Sequence, residues 1–216
     1  MNLLTPLRKP FSYSFSNATL IIISINVVTY FLFSATPLAQ YENYMALSVI
    51  GLFRLHMFWQ PVTYMFMHGS ISHLFFNMLA LVFFGINTEK AVGTKEFLLL
   101  YFLCGVLCGI ISVVIYFFTG YFMLFLVGAS GAIYAILLAY AVIFPRSRIF
   151  IWGILPVPAP ILVIAYAVIE LGNQLLSQNG GVAHLTHFAG FVMAWLYFKI
   201  RMGISPVKIW KDAYGQ

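Results

Sequence analysis

At 216 residues the chain has the length of one or two soluble domains, yet 62% of it is hydrophobic and only 7% is Asp, Glu, Lys or Arg, against about 25% charged residues in soluble domains. So few charges cannot cover a water-soluble globule, so lipid is the natural solvent for most of the chain; disorder, collagen, a coiled coil and a disulfide scaffold fail on the same numbers. The net charge of +6 does not point to nucleic acid, because no basic run exceeds Arg8-Lys9, and Cys104 and Cys108 sit one helical turn apart in an apolar run, which excludes a zinc or disulfide framework.

A helix crossing about 30 Å of hydrocarbon needs about 20 apolar residues. The first uncharged run, 18–36, is too long for a signal-peptide core and lacks a small-x-small cleavage site, which makes it a span. The connection 37–62 is long for a helix bundle, rich in aromatics and Met, and contains Trp59-Gln60-Pro61. The second run, 72–86, is entered through His68-Gly-Ser-Ile-Ser-His73-Leu-Phe-Phe-Asn77, and the third, 97–119, carries Cys104-Gly105 and Cys108-Gly109 as packing residues. Segment 120–128 (GYFMLFLVG) is apolar but bracketed by glycines, the pattern of an extended re-entrant piece. The fourth run, 129–144, opens Gly128-Ala-Ser130-Gly131 with Tyr134 behind it; the fifth, 157–177, carries Glu170; the sixth, 183–200, opens His184-Leu-Thr-His187-Phe-Ala-Gly190. No internal repeat or low-complexity segment appears.

With six spans, ten of the eleven Lys and Arg residues fall on one face and only Arg54 on the other, so both termini are expected in the cytoplasm. Five or seven spans would scatter the same charges over both faces. The expected architecture is an all-α membrane protein: a six-transmembrane-helix bundle over 18–202, with a cytoplasmic N-terminal segment 1–17, a long extracytoplasmic first loop, a short submerged fourth helix and a cytoplasmic C-terminal tail 203–216.

Polar side chains inside spans are costly and mark function. Ser130 lies 16 residues before Arg146, His187 lies 12 and 14 before Lys199 and Arg201, and His73 and Asn77 lie 16 and 12 before Glu89. At about 1.5 Å rise per residue those separations are about 24, 18–21, 24 and 18 Å, which puts all four groups in one layer below the outer surface. Irregular backbone at that depth is tolerated where it lines a water-filled cavity. Gly131, Ala135 and Ala139 form a small-residue stripe on the fourth span, and Gly190 and Ala194 form one on the sixth, so the two helices can approach closely and bring Ser130 to His187. A serine beside a histidine is an acyl-transfer pair: the imidazole removes the hydroxyl proton, and pre-aimed donors hold the oxyanion. The available donors are the Ser130 backbone N–H, the Asn77 amide and the His73 imidazole, the last two on one helical face at i, i+4. Tyr134 is placed to pack against His187. No acidic residue is expected near His187, so the pair reads as a dyad.

These residues resemble the rhomboid intramembrane serine proteases: His68, His73 and Asn77 in HGSISHLFFN, Gly128-Ala-Ser130-Gly131 with Tyr134, and His187-Phe-Ala-Gly190, in that order. Trp59-Gln60 resembles the family's first-loop region, and Gly85, Glu89 and Gly93 look like its cytoplasmic turn. The resemblance runs from about Trp59 to Ala194 and implies the minimal six-span form, with Ser130 as nucleophile, His187 as general base, and His73, Asn77 and the Ser130 N–H as oxyanion stabilisers. It implies a serine endopeptidase that acts through an acyl-enzyme on single-span or multi-span membrane-protein substrates, cutting near the outer face. The expected location is a bacterial inner (plasma) membrane, with the site opening to the extracytoplasmic side, no nucleic-acid partner, no cofactor and no metal. Two positions depart from the family pattern: Gln60 stands where an Arg is common, and Ala194 where a Gly is common.

Blander roles compete. Ser130 could be a packing residue, His73 and Asn77 could merely brace the first loop, and His68 and His184 are expected to be structural. Glu170 is expected to be neutral or paired with Asn173 or Gln174 on its own helix, the alternative being contact with substrate. Two other functions remain open on these residues: a catalytically inactive rhomboid-like binder or chaperone, and a metalloprotease with His73, His184 and His187 as zinc ligands. The second lacks an H-E-x-x-H motif.

Overall fold

The uncharged runs become helices because a backbone in lipid finds partners for its N–H and C=O groups only within the chain. The computed structural model describes residues 6–151, 153–176 and 182–215 and is 75% helical. Helices α1 (Ala18–Ala35), α2 (Ile71–Val92), α3 (Thr94–Thr119), α4 (Ser130–Ile143), α5 (Ala159–Leu176) and α6 (Val182–Tyr197, prolonged by a π turn over Phe198–Met202) follow in order, and then α7 (Pro206–Tyr214). Among the described residues α1, α2, α3 and α5 are long and apolar enough to cross a membrane, and α4 is a shorter apolar helix. Large apolar side chains stand exposed along the outer faces, among them Ile21, Val28 and Phe31 on α1 and Ile161, Val168 and Ile169 on α5. Water does not tolerate so much exposed apolar surface; hydrocarbon does.

Helix α4 is the centre of the bundle. From Ser130 to Val142 every residue is buried except Tyr134 and Tyr140, with α3, α5 and α6 packed around it. The close approach depends on glycine. A Cβ on Gly190 of α6 would run into the Gly131 carbonyl and stand 3.0 Å from the Tyr134 Cβ, and a Cβ on Gly131 would stand 3.1 Å from Thr186 Cγ2 and 3.2 Å from Cys108 Cβ. Ala194 continues the contact, fully buried. The small-residue stripes on the two helices therefore do meet.

Three expectations change. The second span does not end at 86: α2 runs on through a π stretch, Leu81–Gly85, to Val92, so Gly85 and Glu89 are helical. Of the expected turn Gly85, Glu89 and Gly93, the chain turns at Gly93 alone, with φ 84°. Glu89, fully buried, instead caps α1. Asn17 gives α1 no side-chain cap, and the Glu89 carboxylate accepts from Ala18 N and Thr19 N (2.8 Å each), Thr19 Oγ1 (2.7 Å) and Thr94 Oγ1 (2.6 Å). This is a carboxylate at a helix N-terminus, where unpaired N–H groups and the helix dipole both favour it. Glu89→Ala orphans those donors at about 1–3 kcal/mol apiece, so the thermal midpoint of the purified protein in detergent is expected to drop by several degrees, with α1 the first element to become protease-accessible.

The second change is that the fifth span starts at Ala159, not 157. Strands β3 (Arg148–Ile151) and β4 (Leu155–Pro158) make an antiparallel hairpin, with Ile149 opposite Val157 and Phe150 opposite Pro156. The third is that the protein is not purely α. Besides that hairpin, Leu47–Ser48 (β1) of the first loop pairs antiparallel with Phe125–Leu126 (β2) of the glycine-bracketed segment. The rest of the first loop is folded into short helical turns held by the fully buried Gln60, whose Oε1 accepts from Ser48 N (3.2 Å) and whose Nε2 donates to Asn43 O (3.2 Å). Gln60 thus ties the loop to β1, and β1 ties it to the strand that leads into α4.

At the opposite end the segment before α1 lies on α6, Arg8 Nε donating to Ile200 O at 3.1 Å, while Arg201 clamps Glu96 of α3 with Nε–Oε1 2.9 Å and Nη2–Oε2 2.7 Å. Helix α7 folds back on α4 through Trp210 Nε1 to Ala141 O (2.9 Å) and Tyr214 OH to Pro145 O (2.7 Å).

Candidate active site

Ser130 is the first residue of α4, so its N–H belongs to the turn that has no intrahelical acceptor. The chain reaches it through Gly128 at φ 118°, a conformation only glycine adopts without strain, and Gly128 N donates to Tyr64 O at 2.9 Å. Glycine serves a second purpose there. A Cβ on Gly128 would lie 2.8 Å from His73 Nε2 and 3.7 Å from Asn77 Nδ2, so the missing side chain leaves room in which both groups face the start of α4. His73 is set by the α2 N-cap, where Ser70 Oγ accepts from His73 N at 3.1 Å. Asn77 is buried, and its Nδ2 donor has no partner among the described residues.

His187 comes from α6. Its Nε2 stands 2.8 Å from Ser130 Oγ, and its ring stacks on Tyr134 with centroids 4.3 Å apart and planes within 9°. Thr186, one residue earlier, bonds Ser112 of α3 (Oγ–Oγ1 2.8 Å), which fixes the height of α6 against α3. A cavity of about 390 Å³, lined by His73, Phe125, Gly128, Ser130, Thr186 and His187 among others, opens beside the serine. His68 is not part of the lining. It is buried behind His73, ring centroids 5.0 Å apart, and burial, then the neighbouring His73, pushes its pKa down to about 4, so it is neutral at pH 7.

The surroundings of His187 correct the sequence reading. Glu170 of α5 is not paired with Asn173 or Gln174 of its own helix. Its Oε1 accepts from Tyr134 OH at 2.6 Å and lies 3.1 Å from His187 Nδ1, and its Oε2 lies 2.6 Å from His184 Nδ1. A carboxylate does stand behind His187, and His184 is its second imidazole partner. Once α5 is known to start at Ala159, Glu170 is 11 residues, about 17 Å, along it, at the depth expected for His187; the sequence itself offered one signal. His184 and His187 are at i, i+3, on one helical face. The zinc set His73, His184 and His187 is not assembled either: among the described residues the group with metal-ligating geometry is Glu170, His184 and His187.

With Glu170 ionised, a His187 proton on Nδ1 faces the carboxylate and the Nε2 lone pair faces the Ser130 hydroxyl. That is the tautomer a general base needs.

A family profile described as the Rhomboid domain matches residues 55–203. The chain belongs to the rhomboid family. Among similar proteins are RHOMBOID-like protein 4 of Arabidopsis thaliana, 31% identical over 143 residues (64% of this chain, 32% of that protein), and the mitochondrial RHOMBOID-like protein 12 of the same plant, 31% over 162 residues (66% and 46%). Rhomboid protease AarA of Providencia stuartii is 27% identical over 204 residues, 82% of this chain and 69% of that protein. This rhomboid spans less than half the length of the two plant relatives and is an integral membrane protein.

Proposed function

We propose that this rhomboid is an intramembrane serine endopeptidase that cuts transmembrane helices of membrane-protein substrates near the outer face. The observation that carries the reading is the 2.8 Å contact between Ser130 Oγ and His187 Nε2, made by two different helices beside a cavity. In this mechanism His187 takes the hydroxyl proton as Ser130 attacks the scissile carbonyl. His73, Asn77 and the Ser130 N–H receive the oxyanion; the orphan Asn77 donor and the His73 ring at Gly128 support that assignment. His187 then protonates the leaving amine, giving an acyl-enzyme, and activates the water that hydrolyses it. Glu170 keeps the His187 proton on Nδ1, and Tyr134, stacked below, keeps the ring level.

The same proposal takes α1 to α6 as six spans, with α4 starting inside the membrane at the floor of the cavity. Its 14 residues reach about 21 Å, less than the hydrocarbon thickness. The 18–202 unit carries the chemistry; the 1–17 and 203–216 segments and the clustered Arg and Lys residues lie in the cytoplasm, and the membrane is a bacterial inner membrane. A helical substrate hides its carbonyls in its own hydrogen bonds, so cleavage sites with small or helix-breaking residues are expected. The test is a single-span reporter reconstituted with the protein in vesicles: wild type cuts it at one peptide bond in the outer half of its span, and Ser130→Ala leaves it whole. A binder without activity predicts no cleavage by either; continued cleavage by Ser130→Ala assigns the nucleophile elsewhere.

A further inference from the structure

The Glu170, His184 and His187 side chains offer one donor atom each, all within 4.8 Å of one another. We propose that these three residues are a binding site for Zn²⁺ and that metal bound there switches the protease off, an inference that rests on the assignment of His187 as the base. Two imidazole nitrogens and one carboxylate oxygen form a donor set that suits zinc, with water as the fourth ligand. In a tetrahedral site with bonds of 2.0–2.1 Å, donors stand about 3.3 Å apart. Here one donor atom from each residue lies within 4.8 Å of the other two, and the two imidazoles face different oxygens of the Glu170 carboxylate at 2.6 and 3.1 Å. Binding therefore replaces those hydrogen bonds and draws His184, in the first turn of α6, inward. That side chain is 35% exposed and the Glu170 side chain 7%, which makes His184 the entry point and Glu170 the anchor.

The chemistry of inhibition follows from the tautomer. In the metal-free site His187 carries its proton on Nδ1 and accepts from Ser130 at Nε2. Zinc takes the Nδ1 lone pair, so the ring proton moves to Nε2; His184 undergoes the same shift, and each ring keeps one proton. Nε2 of His187 then donates to Ser130 Oγ and cannot receive its proton. Occupation of the site and general-base catalysis are mutually exclusive.

The experiment uses the full chain, stripped of metal and held in detergent. Titration with Co²⁺ is expected to raise the visible absorption of a four-coordinate N/O site, saturating at one equivalent and quenched by Zn²⁺; His184→Ala and His184→Gln are each expected to lose it. In parallel, Zn²⁺ is expected to suppress labelling of Ser130 by a fluorophosphonate, reversibly with EDTA, and the half-inhibitory concentration is expected to rise at least tenfold in both variants, each normalised to its own zinc-free labelling. Equal zinc sensitivity in wild type and both variants, or no stoichiometric cobalt absorption in wild type, overturns the proposal. If the zinc-free protein takes no label, the protease reading fails, and the cobalt titration alone decides the metal site.

Discussion

His187→Ala is expected to lower cleavage of the single-span reporter by about 10⁴-fold or more, with the thermal midpoint of the protein nearly unchanged. The reason is chemical. Ser130 Oγ has its 2.8 Å contact with His187 Nε2, and an alkyl hydroxyl is a poor nucleophile unless a base takes its proton as it attacks. The fold does not need the imidazole: the α4–α6 contact is made by Gly131, Gly190 and Ala194, and the ring lies at the cavity edge, against Tyr134. Ser130→Ala is expected to give the same loss, and the double variant no more, because base and nucleophile act as one unit. Single-turnover cleavage in vesicles measures this. A double variant slower than both singles by another large factor would mean that the two side chains contribute separately and are not a catalytic pair.

Glu170→Gln carries the second largest effect, a loss of about 10²–10⁴-fold in kcat with KM little changed. Three donors converge on this one carboxylate: Tyr134 OH, His184 Nδ1 and His187 Nδ1. An amide has a single carbonyl oxygen and adds an NH₂ group, so it can no longer accept from all three and turns a donor toward one of the imidazoles. His187 then loses the group that holds its proton on Nδ1, and part of the population presents N–H rather than a lone pair to Ser130. A change in kcat at constant KM and constant thermal midpoint identifies Glu170 as a positioning residue for His187. A fall in the midpoint that accounts for the lost activity would reduce it to a packing contact between α5 and the rest of the bundle.

What the chain discloses about itself depends on which physical rule governs each part. The apolar runs were visible because lipid demands them, and the α4–α6 contact was visible because only small residues allow two helices so close: Gly190 has no room for a Cβ. Ser130 and His187 could be brought together on paper by rise per residue alone. The same arithmetic missed Glu170 because the hairpin Arg148–Pro158 intervenes between the cytoplasmic charges and the start of α5. Val157 reads as the start of a span, although Pro156 and Pro158 lie in strand β4 and the helix begins after them. Glu89 was invisible for another reason. A helix that continues through Gly85 carries the carboxylate back toward α1, where it satisfies N–H groups more than 70 residues away in sequence for Ala18 and 70 for Thr19; no local pattern encodes such a partner. Gln60, which departs from the family pattern, is likewise explained only by its contacts with Ser48 and Asn43.

The account stands on the Ser130 hydroxyl being made nucleophilic by His187. The most direct measurement is to treat the protein in detergent with a fluorophosphonate and locate the adduct by mass spectrometry. The predicted result is a single phosphonylated residue, Ser130, in the wild type and no adduct in His187→Ala. An adduct on any other residue, or equal labelling of Ser130 without His187, would contradict it.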